Sequence, residues 1–209
     1  MGGTNKVAWF VFVFLAIGVS LYPALYIYYA FLGVDVALRQ SKSIELLSNS
    51  FWNIGFYGHI IFGGIALMTG WSQFSQKLRQ KRLNLHRNLG KVYVASVIIS
   101  GVCAVGIGFF ATGGWIASLG FVLLGLVWLY TTGTAYVAIR KKDLNLHQGM
   151  MIYSYAACFA AVTLRIWLPL LQLTLGEFLI AYKIVAWLCW VPNLVFAHFW
   201  VRRKGIVLG

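Results

Sequence analysis

Acidic side chains are scarce in this sequence, which has only four Asp and Glu among 209 residues, against 17 Lys and Arg. All charged residues together make up 10% of the chain, whereas soluble domains carry about a quarter. The sequence also has no HExxH motif, no glycine-rich phosphate loop and no pair of carboxylates placed for catalysis. Hydrolytic and phosphoryl-transfer enzymes depend on such groups, so the composition argues against both classes.

Cysteine is also rare and has no metal-binding arrangement. Cys103, Cys158 and Cys189 lie inside apolar runs, with no CxxC pair and no CxxCH haem-attachment motif. Free cysteine inside a protein commonly behaves as a small apolar residue, and we interpret all three in this way.

Apolar residues dominate instead: 61% of the chain is hydrophobic and its mean hydropathy is +0.80. A helix needs roughly 20 mostly apolar residues to cross a bilayer. Six such stretches occur, at about 7–32, 51–74, 89–111, 115–138, 149–171 and 179–201. The sequence therefore predicts an all-α membrane protein, a single domain over 1–209 with six transmembrane helices. The first stretch is too long for a signal peptide and lacks an A-x-A cleavage site, so we expect it to be retained.

Lysine and arginine are concentrated in three of the segments that separate the apolar stretches. With Lys6, the connections between helices two and three and between helices four and five, and the segment after helix six, hold thirteen of the 17 basic residues. Basic residues favour the cytoplasmic side, so both termini are predicted to be cytoplasmic. The net charge of +13 is then a topology signal, which favours membrane lipids over nucleic acid as the partner.

A nine-residue segment occurs twice in the same setting. Residues 78–86 are echoed by residues 139–147, and both copies end in Leu-Asn-Leu-His. Each copy comprises the inner end of one helix, a basic loop and the start of the next helix. Helices two to five, at about 51–171, are therefore predicted to form a four-helix core made of a duplicated hairpin.

The repeat places His86 and His147 at equivalent depths near the cytoplasmic face. Imidazoles from two facing helices can hold one haem iron as a six-coordinate, low-spin centre suited to electron transfer. Gly90, one turn after His86 on the same face, would leave room for the macrocycle, and Arg87 and Lys91 lie at a level suited to the haem propionates. Alternatively, the two histidines lie among lipid headgroups and bind nothing.

A second set of polar residues is predicted on the outer side. His59, Arg165 and Lys183 fall inside apolar stretches, where ionisable residues commonly mark a functional site. We expect a separate outer pocket for a quinone, an anionic headgroup, a haem propionate or a small anionic substrate. The alternatives are a packing role for His59 and snorkelling of the two cations to the interface. The repeat offset pairs His59 with Gly120, so it completes no second histidine pair.

The sixth helix carries two further polar features. Pro192 and Asn193 predict a kink whose freed backbone groups are satisfied by neighbouring helices. His198 lies in the last turn, where we interpret it as a cation at a helix C-terminus.

Spaced motifs extend over about residues 50–200. They include His59-x3-Gly63, Gly70-x2-Gln73-Phe74, His86-Arg87-x2-Gly90-x2-Tyr93, Arg165-x-Trp167-Leu168-Pro169 and Trp190-Val191-Pro192-Asn193-Leu194. This set resembles the bacterial membrane family catalogued as domain of unknown function 2306. The resemblance implies a multi-pass protein of the bacterial cytoplasmic (inner) membrane. Gln148 and Met150 depart from the family pattern His-Arg-x-Trp-Met, which argues against a role for those two side chains.

More distantly, the layout resembles cytochrome b561, a six-helix reductase with cytoplasmic termini and histidine pairs between helices two and four and between helices three and five. His86 and His147 match its cytoplasmic pair, whereas Gly120 replaces the partner of His59. The resemblance implies one inner haem b rather than a two-haem relay. We therefore predict a b-type cytochrome-like protein in electron transfer, with a quinone or another redox subunit as partner. The alternatives are a cofactor-free accessory or assembly subunit of a larger membrane complex, and a small-molecule transporter.

Overall fold

The computed structural model describes residues 3–34 and 37–206. Within these residues the chain is all-helical, with eleven α-helices, two short 3-10 segments (Ala37–Ser41 and Trp71–Phe74) and no strand. The helices are α1 (Gly3–Ser20), α2 (Tyr22–Phe31), α3 (Ile44–Ser48), α4 (Ser50–Gly70), α5 (Gln76–Lys81), α6 (Leu83–Gly108), α7 (Trp115–Arg140), α8 (Leu144–Cys158), α9 (Ala160–Leu175), α10 (Phe178–Leu188) and α11 (Val191–Arg203).

Among the described residues, six helical segments are long and apolar enough to cross a membrane. They are Lys6–Phe31, Ser50–Phe74, Leu83–Gly108, Trp115–Arg140, Leu144–Leu175 and Phe178–Arg203. The number and order of the predicted transmembrane helices are thus confirmed. The cytoplasmic position of the termini and the single domain over 1–209 stay predictions.

The third and fifth segments begin several residues before their apolar stretches. The polar first turns are already helical, because the backbone N–H of His86 donates to Arg82 O at 3.0 Å and that of His147 to Asp143 O at 3.1 Å. The Asp143 side chain also accepts from the backbone N–H of Leu146 and caps α8. Hydropathy alone places these helix starts too late, since the first turns carry the polar residues of the repeat.

Three of the six segments are interrupted, at Leu21, at Phe159 and at Cys189–Trp190. The last break lies just before Pro192, so the predicted kink is confirmed. The backbone carbonyl of Cys189 at this break has side-chain partners, as expected: it accepts from the hydroxyl of Thr163 on α9 and from the side-chain amide of Asn193 at 2.9 Å.

Two hairpins form the centre of the bundle. Helix α4 packs along α6, α7 packs along α8, and α6 packs against α7. Around this centre, α1 lies on α4, α10 lies on α7 and α9, and α11 lies on α8. The second to fifth transmembrane segments therefore form a four-helix core of two hairpins, as the internal repeat predicts.

A buried polar network links the two hairpins. The hydroxyls of Tyr93 and Ser154 share a hydrogen bond of 2.7 Å, and Ser154 also pairs with Thr132 at 2.6 Å. The Thr132 hydroxyl donates in turn to Trp128 O at 2.7 Å, so each of these three buried hydroxyls has a hydrogen-bond partner. Tyr93 and Ser154 are separated by 61 residues, the same offset that relates His86 to His147. Two positions beyond the repeat copies, related by the same offset, thus meet at the centre of the bundle.

The segment before α4 is tied to the turn between α6 and α7 at the outer end. Lys42 Nζ donates to the carbonyl of Phe110, and the hydroxyls of Ser41 and Thr112 lie 2.9 Å apart. Lys42 lies outside the membrane-spanning segments, and burial lowers its pKa to about 8 because desolvation disfavours the charged amine.

Candidate functional site

The backbone directs the two inner histidines towards each other. Each is the fourth residue of its helix, His86 in α6 and His147 in α8. His86 precedes Tyr93 by seven residues, and His147 precedes Ser154 by seven. Seven residues are close to two helical turns, so each histidine shares a helix face with the residue that follows it, about 10 Å along the axis. Since Tyr93 and Ser154 touch, the histidines lie on facing sides of α6 and α8.

His147 has a defined hydrogen bond. Its Nδ1 lies 2.9 Å from the carbonyl oxygen of Ala135 on α7. A carbonyl oxygen can only accept, so Nδ1 carries the hydrogen, and the neutral ring has its lone pair on Nε2. Histidines that bind a metal usually donate their other N–H to a group such as a backbone carbonyl, because this bond fixes the ring and the tautomer.

His86 is half-buried, and its Nδ1 is fully buried without a hydrogen-bond partner among the described residues. Such a nitrogen is uncommon, since most buried polar atoms are paired. Arg79, Arg87 and His147 lie near enough to His86 to interact with its ring electrostatically.

The remaining inner residues differ in what they offer. Arg87 and Lys91 are exposed on the first turns of α6, where they can meet anionic groups. Gly90 does not border open space, because a Cβ at this position would lie 3.2 Å from the side-chain oxygen of Gln73. The room predicted beside Gly90 is thus occupied by Gln73, which is buried. Sequence reasoning gave Gln73 no place in the site, although it stands in the motif Gly70-x2-Gln73.

His59 is held by Ser100 across the interface of α4 and α6. The Ser100 hydroxyl donates to His59 O at 2.9 Å, so its oxygen accepts from His59 Nδ1 at 3.0 Å. The carbonyl oxygen of Ser100 also lies 3.2 Å from His59 Nδ1. Nδ1 of His59 is therefore used in packing α4 against α6, and the neutral ring has its lone pair on Nε2.

Arg165 and Lys183 have different surroundings. The guanidinium carbon of Arg165 lies 4.3 Å from the centre of the Tyr22 ring, and its charge acts on His59. Lys183 extends along the turn between α6 and α7, where a Cβ at Gly113 would lie 3.2 Å from its Cγ. The structure thus places Arg165 within electrostatic range of His59, whereas Lys183 lies at the outer turn.

His198 lies on α11, where its Nδ1 pairs with the hydroxyl of Tyr153 at 3.0 Å. Its hydrogen-bond partner is thus a side chain of α8, so this ring helps to join α11 to α8 near the inner end of the bundle.

The comparisons with known proteins concern the greater part of the chain. Residues 56–201 match the model of the family described as "Predicted membrane protein (DUF2306)". No curated protein and no solved structure matches the chain. The matched region contains the four-helix core from the seventh residue of α4 onward, both inner histidines, His59 and Arg165. With its six membrane-spanning segments, this chain belongs to the DUF2306 family of multi-pass membrane proteins.

Proposed function

We propose that this protein binds one haem b near its cytoplasmic end, through His86 and His147, and takes part in electron transfer in the bacterial cytoplasmic membrane. The hydrogen bond from His147 Nδ1 to Ala135 O carries the proposal, because it leaves Nε2 as the ligating atom. The unpaired, buried Nδ1 of His86 on the facing helix marks the second polar group of the site. Two imidazoles on facing helices are the ligand set of a bis-histidine haem, and its macrocycle would take the place of the Gln73 side chain beside Gly90.

Besides the two histidine ligands, the chain supplies cations for the haem propionates. Arg87 and Lys91 are exposed cations one helical turn apart, and they suit the two propionates of a haem. The hydrogen-bond network around Tyr93 and Ser154 lies two helical turns deeper, between the two histidines and the centre of the bundle. A haem with two imidazole ligands exchanges single electrons and has no open position for oxygen. Its redox partner would be a quinone or another membrane subunit.

An absorption spectrum of protein produced with ample haem tests the proposal. We expect Soret and α bands in the wild type and their loss in His86→Ala and in His147→Ala. His198→Ala is the matched control, since this histidine also lies near the inner end but is bound to Tyr153. It should keep the bands, as should His59→Ala. A colourless wild type, or bands that survive both ligand substitutions, would overturn the proposal.

The cofactor-free alternative gives a different result in the same preparation. An accessory or assembly subunit would be colourless and would co-purify with a fixed partner in constant ratio. Its docking surface would be the basic inner loop at Arg140, Lys141 and Lys142, all of which are exposed. A transporter would instead be colourless and produce flux in liposomes.

A further inference from the structure

Arg165 is a cation within the membrane whose described contacts are uncharged. It lies ten residues before the outer end of α9 at Leu175, about 15 Å along the helix. The described acidic residues, Glu45, Asp143 and Glu177, all lie outside the six membrane-spanning segments. An ionised side chain at this depth is costly unless an opposite charge or several hydrogen bonds accompany it.

The guanidinium of Arg165 is held by two described contacts, and its Nε has no hydrogen-bond partner among the described residues. Its Nη1 donates to Ala161 O at 2.8 Å, one turn back on the same helix. The ring of Tyr22 covers one face as a cation–π partner. Its Nε is buried and has no hydrogen-bond partner among the described residues. The Nε edge of a guanidinium is one of the edges that bind a carboxylate through two parallel hydrogen bonds.

The face of α9 next to Arg165 meets the lipid. The next two residues on α9, Ile166 and Trp167, are 42% and 39% exposed on the outside of the bundle. On the inner side, the Arg165 charge acts on His59, whose Nδ1 is engaged by Ser100. A second positive charge on His59 would be unfavourable beside Arg165, so the pair suits an incoming negative charge.

We infer that Arg165 anchors a binding site for a carboxylate ligand in the outer half of the bundle, between α2, α4 and α9. The carboxylate accepts hydrogen bonds from the Nε edge of Arg165. It also supplies a negative charge beside Arg165, where the described residues have no acidic side chain. A fatty acid entering from the bilayer and a small water-soluble carboxylate entering from the outer surface both have this chemistry. The site is separate from the inner histidines and does not depend on haem.

Binding to the purified protein in nanodiscs of zwitterionic lipid tests the inference. Three probes are compared: laurate, dodecanol, which has the same chain without the carboxylate, and succinate as a small soluble carboxylate. We expect a carboxylate, but not dodecanol, to raise the unfolding temperature. A response to laurate alone assigns the ligand to the bilayer, and a response to succinate assigns it to the aqueous phase. Equal effects of laurate and dodecanol, or no effect of either carboxylate, would overturn the inference.

Substitutions locate the site. Arg165→Gln should weaken carboxylate binding more than about thirtyfold, as expected for loss of one partner of a buried charged pair. Arg165→Lys keeps the charge but loses the planar edge and should bind more weakly than the wild type. Lys183→Gln is the matched control, because this outer cation lies against the turn at Gly113, and it should bind as the wild type does. Unchanged binding in Arg165→Gln would refute the assignment, and the probe comparison in the wild type decides the question even if that variant does not fold.

Discussion

Substituting alanine for Gly70 tests the packing at the centre of the bundle, where two buried tyrosine rings lie against this glycine. A Cβ at Gly70 would lie 2.5 Å from Cδ2 of Tyr155 and 2.7 Å from Cε2 of Tyr93. Favourable carbon contacts are about 3.5–4.0 Å long, so both rings would have to move by roughly 1 Å. Neither ring can move easily, because the Tyr155 hydroxyl donates to Leu67 O at 3.0 Å and Tyr93 pairs with Ser154 at 2.7 Å.

The size of the effect follows from three contributions. Overpacking a close-packed core costs about 1–3 kcal/mol. Disturbing one buried hydrogen bond costs about 1 kcal/mol more. The better helix propensity of alanine offsets about 1 kcal/mol. We therefore expect Gly70→Ala to lower the free energy of unfolding by about 1–3 kcal/mol.

Gly133→Ala is the matched control, since no atom lies within 4 Å of a Cβ at this position on α7. It should be neutral or raise the free energy of unfolding by about 0.5–1 kcal/mol. Unfolding in mixed micelles with increasing SDS, followed by tryptophan fluorescence, measures both variants. Equal stability of the two variants would refute the described packing of Tyr93 and Tyr155 against α4.

Three further predictions follow from other parts of the structure. The pKa of Lys42 is lowered to about 8, whereas an unfolded lysine titrates near 10.4, so the unfolded chain holds this proton more tightly. Between about pH 8 and pH 10 the wild type should therefore gain stability relative to Lys42→Met, and a parallel pH profile of the two proteins would contradict this. Ser100→Ala should lower the free energy of unfolding by about 1–2 kcal/mol, because His59 loses a hydrogen bond in each direction, and it should leave any haem spectrum unchanged. Alkaline phosphatase inserted at the outer turn beside Gly113 should be active and the same enzyme fused to the C-terminus inactive, as the basic residues predict; the reverse pattern would refute the orientation.

The six transmembrane segments could be predicted because an apolar stretch of sufficient length is a local property of the sequence. Their details depend on contacts that are not local. The break at Phe159 has no proline beside it, and its ring stacks on Phe12 of α1 at 5.0 Å between ring centres. The apolar stretches begin several residues after the starts of α6 and α8, because the first turns of these helices are polar, although Asp143 is a recognisable N-cap.

For the candidate site, the repeat predicted the equivalent positions of His86 and His147 in their helices. The hydrogen bond of His147 to Ala135 could not be predicted, because it joins two helices and depends on how α7 and α8 pack. The position of Gln73 beside Gly90 is hidden for the same reason. Likewise, the direction of the long Lys183 side chain is decided by the turn that it meets and not by its own helix.

The haem content per polypeptide is the measurement that most directly tests the central claim. Haem extracted from purified protein, quantified as its pyridine complex and divided by the protein concentration, gives the stoichiometry. We predict one haem b per chain in the wild type, the same value in His59→Ala and His198→Ala, and none in the double variant His86→Ala, His147→Ala. A wild type without haem, or a double variant with undiminished haem content, would contradict the assignment of the inner histidines.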